Sequence, residues 1–262
     1  MNNYHTHTFL CKHAEGTALD YAGEAAKRNI DILGMSDHCP LPDNRWAHVR
    51  MAMSDLDAYE AQIEEARRAV PEITILKGLE CEWDPMYYGF FHDEILHRRK
   101  FDYLIGAEHF FKYRGEWNDL GHIRTASHLK AYTDLLLETM ESGLFAFIAH
   151  PDGFGSGYDR WDENTEACSR DIFSAAAQLD IPLEINGYGF RKPLKRTSQG
   201  LRLRYPLREF WECAAEYPIR VICNSDAHRP EDVAASIDLA REMADFFQLK
   251  VIETLPLKTP VR

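Results

Sequence analysis

The chain has 262 residues, 45% of them hydrophobic, and a formal net charge of −12. That length and apolar content suit one α/β domain whose core needs no staples. The acidic balance argues against nucleic acid as a partner but leaves room for a small anion beside bound cations.

The first β-rich run covers 3–7 and a helical stretch covers 18–28, with Leu19, Ala22 and Ala26 on one face. A strand at 32–35 ends in Ser36-Asp37-His38, and a helix over 55–69 has Ser54 as its expected N-cap. Further strands are expected at 74–79, 103–106, 145–149, 182–186 and 220–223. Helices are expected at 126–140, 168–179, 207–216 and 232–247. This alternation makes seven βα units with no repeat, low-complexity tract or linker between them, so residues 1–262 read as a single domain. Cys11, Cys39, Cys81, Cys168, Cys213 and Cys223 form no CxxC pair and read as free thiols. With no basic-apolar leader and no apolar run near the ~18 residues of a membrane span, the expected location is the cytoplasm, away from membranes. The oligomeric state is left open.

Six of the seven strands carry His, Asp or Glu at or just past their C-terminal ends, the rim where α/β barrels build their sites. His5 and His7 alternate along an extended run, so both imidazoles share a face. Taken alone, such a pair reads more simply as two surface or core histidines. His38 after Asp37, Glu80 at the end of Ile-Leu-Lys-Gly-Leu, and His109 each have an equally bland explanation. Glu82 has the same side-chain direction as Glu80, so the pattern does not choose between them. His150 closes a buried apolar run and needs a partner, because an unpaired buried polar group costs ~1–3 kcal/mol. Asp226 and His228 alternate once more. Together these residues point to transition-metal chemistry with nitrogen and oxygen ligands of Zn, Mn or Fe type. They outnumber the needs of one ion and suit phosphoryl transfer to water.

The segments His5-Thr6-His7-Thr8, Phe9 to His13, Ser36 to Pro40, Gly78-Leu79-Glu80, Ile105 to His109, Ile148 to Asp152, Glu184-Ile185-Asn186 with Phe190 to Pro193, and Asn224 to His228 span nearly the whole chain. In that order they resemble the PHP (polymerase and histidinol phosphatase) family, and within it the histidinol-phosphate phosphatases. The resemblance implies a distorted (β/α)7, TIM-like barrel holding three divalent ions. His5, His7, Glu80 and Asp226 would hold the first; Glu80 would bridge to a second on His109 and His150; His13, His38 and His228 would hold the third. It also implies a small phosphorylated metabolite as substrate, L-histidinol phosphate, cleaved in histidine biosynthesis. Where the family reads Thr-Ser-Gly-Leu-Arg after Glu-Ile-Asn, this chain reads Gly-Tyr-Gly-Phe-Arg.

A hydroxide between the first two ions is the expected nucleophile, with Asp226 accepting its proton. Arg160, in a glycine-rich loop, and Arg191 are the expected phosphate clamps. Arg160 reads equally well as a surface arginine. The basic stretch from Lys192 to Arg196 reads as surface charge, with Lys192 a further substrate-binding candidate. Asp43, Glu15 or Glu108 could receive the cationic end of the substrate. His48, His92, His97, His122 and His128 read as exposed or helix-borne. The alternatives are a phosphodiesterase or nucleotide phosphatase on the same scaffold, an amidohydrolase-like metal hydrolase, and a metal-binding protein without turnover. No lysine stands at a strand end to bridge metals as amidohydrolases commonly require.

Overall fold

The computed structural model describes residues 1–257; residues 258–262 of the expected domain lie outside the described residues. Eight strands form one curled, all-parallel sheet. They are β1 (Asn2–Asn3), β2 (Ile32–Met35), β3 (Thr74–Cys81), β4 (Tyr103–Gly106), then, past a hairpin of β5 (Phe110–Tyr113) and β6 (Glu116–Asp119), β7 (Phe147–Ile148) and β8 (Leu183–Asn186). A second hairpin, β9 (Lys195–Thr197) and β10 (Gly200–Arg202), precedes β11 (Arg220–Asn224) and β12 (Lys250–Val251). The sheet runs β1-β2-β3-β4-β7-β8-β11-β12, and the hairpins stand outside it. Helices α1 (Ala18–Lys27), α2 (Leu56–Ala69), α3 (Ala126–Glu141), α4 (Glu163–Leu179), α5 (Gly187–Arg191), α6 (Arg208–Ala214) and α7 (Ile237–Phe246) connect them. Strands covered on both faces read as continuous apolar runs, as Tyr-Leu-Ile-Gly of β4 does.

The ring closes unevenly. At the C-terminal end of the strands, His7 N donates to Ala227 O at 2.9 Å and Ala227 N to His5 O at 3.4 Å. At the opposite end β12 pairs with β11, and the chain beyond it inserts beside β1, with Asn2 Nδ2 on Glu253 O (2.7 Å) and Leu255 N on Tyr4 Oη (3.2 Å). That wedge distorts the barrel. It is also an eighth strand that the expected seven βα units did not include.

The barrel interior is a small buried cluster around Tyr4, Tyr103, Ile105, Phe147 and Ile222, while alternate residues such as Leu104 and Ile148 face the helical layer. Tyr103 crosses the interior and its hydroxyl donates to Tyr4 O at 2.7 Å. Gly34 and Gly78 make that possible: a Cβ at either would lie within 2.0–2.4 Å of the Tyr103 side chain.

Several boundaries differ from expectation. The first strand is paired only at Asn2–Asn3, with Thr6 making an isolated bridge to Ala227. Ser54 does not cap α2. It lies in a 3-10 turn, Met53–Asp55, where Asp55 Oδ2 accepts from Ala52 N at 2.9 Å. Helix α4 begins a turn and more earlier than 168, because Asp162 Oδ1 accepts from Asn164 N and Thr165 N. Helix α7 begins later than 232, after a 3-10 turn at Pro230–Asp232.

Candidate metal centre

Eight of the nine predicted ligands stand at or just past the C-terminal ends of strands and His13 follows the 3-10 turn Phe9–Cys11; seven of them line one cleft of about 290 Å³, with His5 and His150 buried beneath it. Glu80, 1% exposed, is its hub. Its Oε1 lies 3.2 Å from His5 Nε2, 3.1 Å from His150 Nε2 and 3.8 Å from His109 Nε2. Its Oε2 lies 2.9 Å from His38 Nδ1 and 3.6 Å from His7 Nε2. Asp226 Oδ1 lies 3.1 Å from His7 Nε2, 3.7 Å from His5 Nε2 and 3.5 Å from His228 Nδ1. The rings of His7, His13, His38 and His228 stand 4.3–5.1 Å from their neighbours in the cluster. The structure therefore brings all nine predicted ligands together.

These donors fit divalent ions. His5 Nε2, both nitrogens of His7, Glu80 Oε2 and Asp226 Oδ1 are buried without a hydrogen-bond partner, a costly state unless another group satisfies them. Ligand atoms of His5–His7–Glu80, of His38–Glu80–His109 and of His7–His38–His228 lie within 4.8 Å of one another. Cys11 Sγ also lies near His13 and His228, but burial pushes its thiol up and keeps it protonated.

A second set of carboxylates, none of them picked out from sequence for this role, aims the imidazoles. Glu184 Oε1 lies 2.9 Å from His5 Nδ1, and Glu82 Oε1 lies 2.7 Å from His109 Nδ1. Asp37 faces His7 Nδ1 at 3.6 Å and accepts from Thr8 N and His38 N. A proton held on Nδ1 leaves the Nε2 lone pair facing inward. A carboxylate inside a buried strand, as Glu184 is in Leu-Glu-Ile-Asn, was the available signal.

Charge is divided across the cluster. Burial opposes the charged form of His5, but Glu184, Asp226 and Glu80 outweigh it and hold its pKa well above the ordinary value. His7 is likewise raised to about 9, against burial, by Asp226 and Asp37. Burial, reinforced by His7, lowers His228 to about 3 and places His38 well below its ordinary value. Burial pushes Glu80 and Asp226 up, yet the neighbouring imidazoles, His5 first, hold both well below the carboxylate range.

The expected phosphate clamps separate. Arg160 is exposed, pairs with Asp162 at 2.9 Å and is not among the residues lining the cleft. Arg191 also lies outside the lining. Its guanidinium donates to Ala235 O (2.8 Å), Ser225 O (3.0 Å) and Asp226 O (3.4 Å), bracing the turn where Asp226 adopts φ 49°. Lys192 does line the cleft, with Nζ 4.5 Å from the Tyr188 ring centroid and 5.2 Å from that of Tyr205. Burial lowers its pKa. Arg50, missed from sequence, is buried in the wall, on Cys39 O at 3.0 Å and Glu82 at 3.5 Å. The three acids considered for a cationic substrate end are engaged elsewhere. Asp43 holds Arg45 and Tyr87, Glu15 holds Arg229, and Glu108 accepts from Trp83 N and Thr139 Oγ1. No helix among the described residues is long and apolar enough to cross a membrane.

A model of the PHP domain matches residues 3–187. The "Probable histidinol-phosphatase" of Deinococcus radiodurans is 30% identical over 258 residues, covering 92% of each chain. A "Probable phosphatase" of Shewanella frigidimarina is 25% identical over 191 residues, 71% of this chain and 63% of that one. Among solved structures, histidinol phosphate phosphatase from Lactococcus lactis, determined with zinc, L-histidinol and phosphate, aligns with a TM-score of 0.73. It does so at 17% identity over 97% of this chain and 96% of that one, a likeness of fold.

Proposed function

Since the chain belongs to the PHP domain family, we propose that this metal hydrolase is a phosphomonoesterase that cleaves L-histidinol phosphate to L-histidinol and phosphate. The observation that carries the reading is Glu80, a buried carboxylate with the imidazoles of His5, His7, His38, His109 and His150 all within 4 Å. The 30% identical relative named for this activity supports the choice of substrate.

Three divalent ions of Zn, Mn or Fe type are assigned to His5, His7, Glu80 and Asp226; to Glu80, His109 and His150; and to His13, His38 and His228. Bound there, they would lower the pKa of coordinated water and offset phosphate charge. The chain's own residues do the rest. Asp226 is ionised at neutral pH, and Asn186 Nδ2 holds its Oδ2 at 3.1 Å. Asp226 Oδ1 faces His5 Nε2 and His7 Nε2, so as a ligand beside the attacking water this carboxylate would accept the proton. Arg191 keeps that carboxylate in place from behind. Lys192, with no carboxylate in ion-pair range among the described residues, lines the cleft and supplies an ammonium for the phosphate. The six cysteines are free and buried, which supports a reducing, cytoplasmic setting.

Phosphate release from L-histidinol phosphate by chelator-stripped protein, with Mn, Zn or Fe restored singly, tests the reading. Activity should vanish on stripping and return with metal. Faster turnover of bis(p-nitrophenyl) phosphate would favour a phosphodiesterase, and no turnover of either ester under any metal would reject both.

A further inference from the structure

The cleft has a second wall that the reaction chemistry does not use. It is built by the hairpin after β4, where Phe110 and Asp119 are cross-strand partners and both line the cleft. A flat ring and a carboxylate thus stand side by side at the rim.

The wall is backed and pinned. Trp46 stacks face to face on Phe110, with centroids 4.0 Å apart and planes at 7°, and meets Trp117 edge-on at 5.2 Å. Arg45 lies over both tryptophans, 5.5 and 5.0 Å from their centroids. Trp46 sits at φ 55°, an uncommon backbone for a bulky residue. Leu120 N donates to His109 O at 3.0 Å, so the hairpin is tied to the segment carrying a candidate ligand.

Among the carboxylates in the lining, Glu80 and Asp226 belong to the histidine cluster and Glu82 holds His109. Asp119 stands apart. Its Oδ2 lies 2.6 Å from His122 Nδ1 at the exposed rim. A Cβ on Gly121 would come within 2.7 Å of its Oδ1, so the glycine leaves the carboxylate its room. The cleft therefore carries the Lys192 ammonium, held against the Tyr188 and Tyr205 rings, on the segment that follows β8 and a rim carboxylate, shared with His122, on the segment that follows β4. Opposite fixed charges in so small a space orient a ligand that bears both signs.

We propose that Phe110 and Asp119 form the leaving-group subsite and select phosphate monoesters of alcohols that carry a flat ring and a cationic amine. The ring lies on Phe110, the ammonium faces Asp119, and the phosphate points toward Lys192 and the histidine cluster. This rests on the phosphomonoesterase reading above and adds the residues that choose the alcohol.

The test is steady-state kinetics of the metal-loaded protein with three esters: L-histidinol phosphate (flat and cationic), phenyl phosphate (flat, neutral) and 2-aminoethyl phosphate (cationic, not flat). Asp119→Asn should raise KM about fivefold for the two cationic esters, a rim-exposed charged hydrogen bond being weaker than a buried one. It should leave phenyl phosphate within about twofold and kcat little changed. Phe110→Ala should raise KM for the two flat esters and spare 2-aminoethyl phosphate. Equal shifts for all three esters, or none, would overturn the subsite while the phosphatase reading stands. If the unaltered protein cleaved none of them, that reading would fall, and calorimetric binding of L-histidinol would decide the subsite. Weaker binding by Asp119→Asn than by the unaltered protein would support it; equal affinity, or no binding at all, would overturn it.

Discussion

His5 Nδ1 lies 2.9 Å from Glu184 Oε1, and the same carboxylate accepts from Asn224 Nδ2 at 2.9 Å, Asn186 Nδ2 at 2.8 Å and the backbone of His150 at 3.2 Å. One buried acid thus sets the tautomer of one candidate ligand and the position of another. Glu184→Gln keeps the shape but presents an amide NH₂ or a weaker acceptor to His5. Metal affinity, read by chelator competition, should fall about 10–100-fold, with the circular dichroism spectrum retained. Unchanged affinity would show that Glu184 serves packing alone.

The metal-free protein should lose stability as pH rises from about 6.5 to 9. His7 has a folded pKa of about 9 against an ordinary value of 6.5, so the folded state holds the proton more tightly. Its contribution is complete below 6.5 and is lost as pH climbs through 9, with a size of about 1–3 kcal/mol. His7→Asn should flatten this slope in denaturant melts. Saturating metal should reverse it, because cations compete with protons for the same nitrogens.

Lys192 and Arg160 should separate in kinetics. Lys192→Met removes the ammonium from the cleft and should raise KM for a phosphomonoester about tenfold or more, weakening inhibition by inorganic phosphate in step. Arg160→Ala removes an exposed pair with Asp162 and should change neither by more than about twofold. A larger effect at Arg160 would mean that its loop moves over the cleft.

The glycines beneath Tyr103 should be intolerant of a methyl group. Gly34→Ala would set a Cβ 2.0 Å from the Tyr103 hydroxyl and 2.8 Å from Tyr4 Cα. It should cost about 1–3 kcal/mol or more in chemical denaturation. Tyr103→Leu alone leaves a cavity and frees Tyr4 O, yet combined with Gly34→Ala it should recover part of the loss. Strict additivity of the two changes would contradict the contact.

Most of the ligands were legible because they stand at or just past short apolar runs at the same point of a repeating unit, and Asp226–x–His228 mirrors His5–x–His7; His13, beyond the 3-10 turn Phe9–Cys11, came only with the family resemblance. Their supports were not. Whether Glu82 or Glu80 faces the cleft centre depends on which strand lies opposite. Only the folded register puts Glu82 on His109 and Glu80 among the histidines. Long side chains hid their direction too: Arg191 and Lys192 are neighbours, but one braces the Asp226 turn while the other enters the cleft. The β5–β6 hairpin escaped notice because its turn, Arg114-Gly115, puts an arginine at φ 53° where asparagine or aspartate would have signalled it. The two-residue β12 carries no periodicity at all.

Barrel closure joins the beginning and the far end of the polypeptide: Tyr4 N donates to Asn224 Oδ1 across 220 positions of sequence, and His7 N to Ala227 O. Contacts so distant form late in folding, because the loop they close is almost the whole molecule. Half-made or nicked chains would therefore hold isolated histidines rather than a shared pocket. Cation binding by the shared pocket would thus report that the last turn of the ring has met the first.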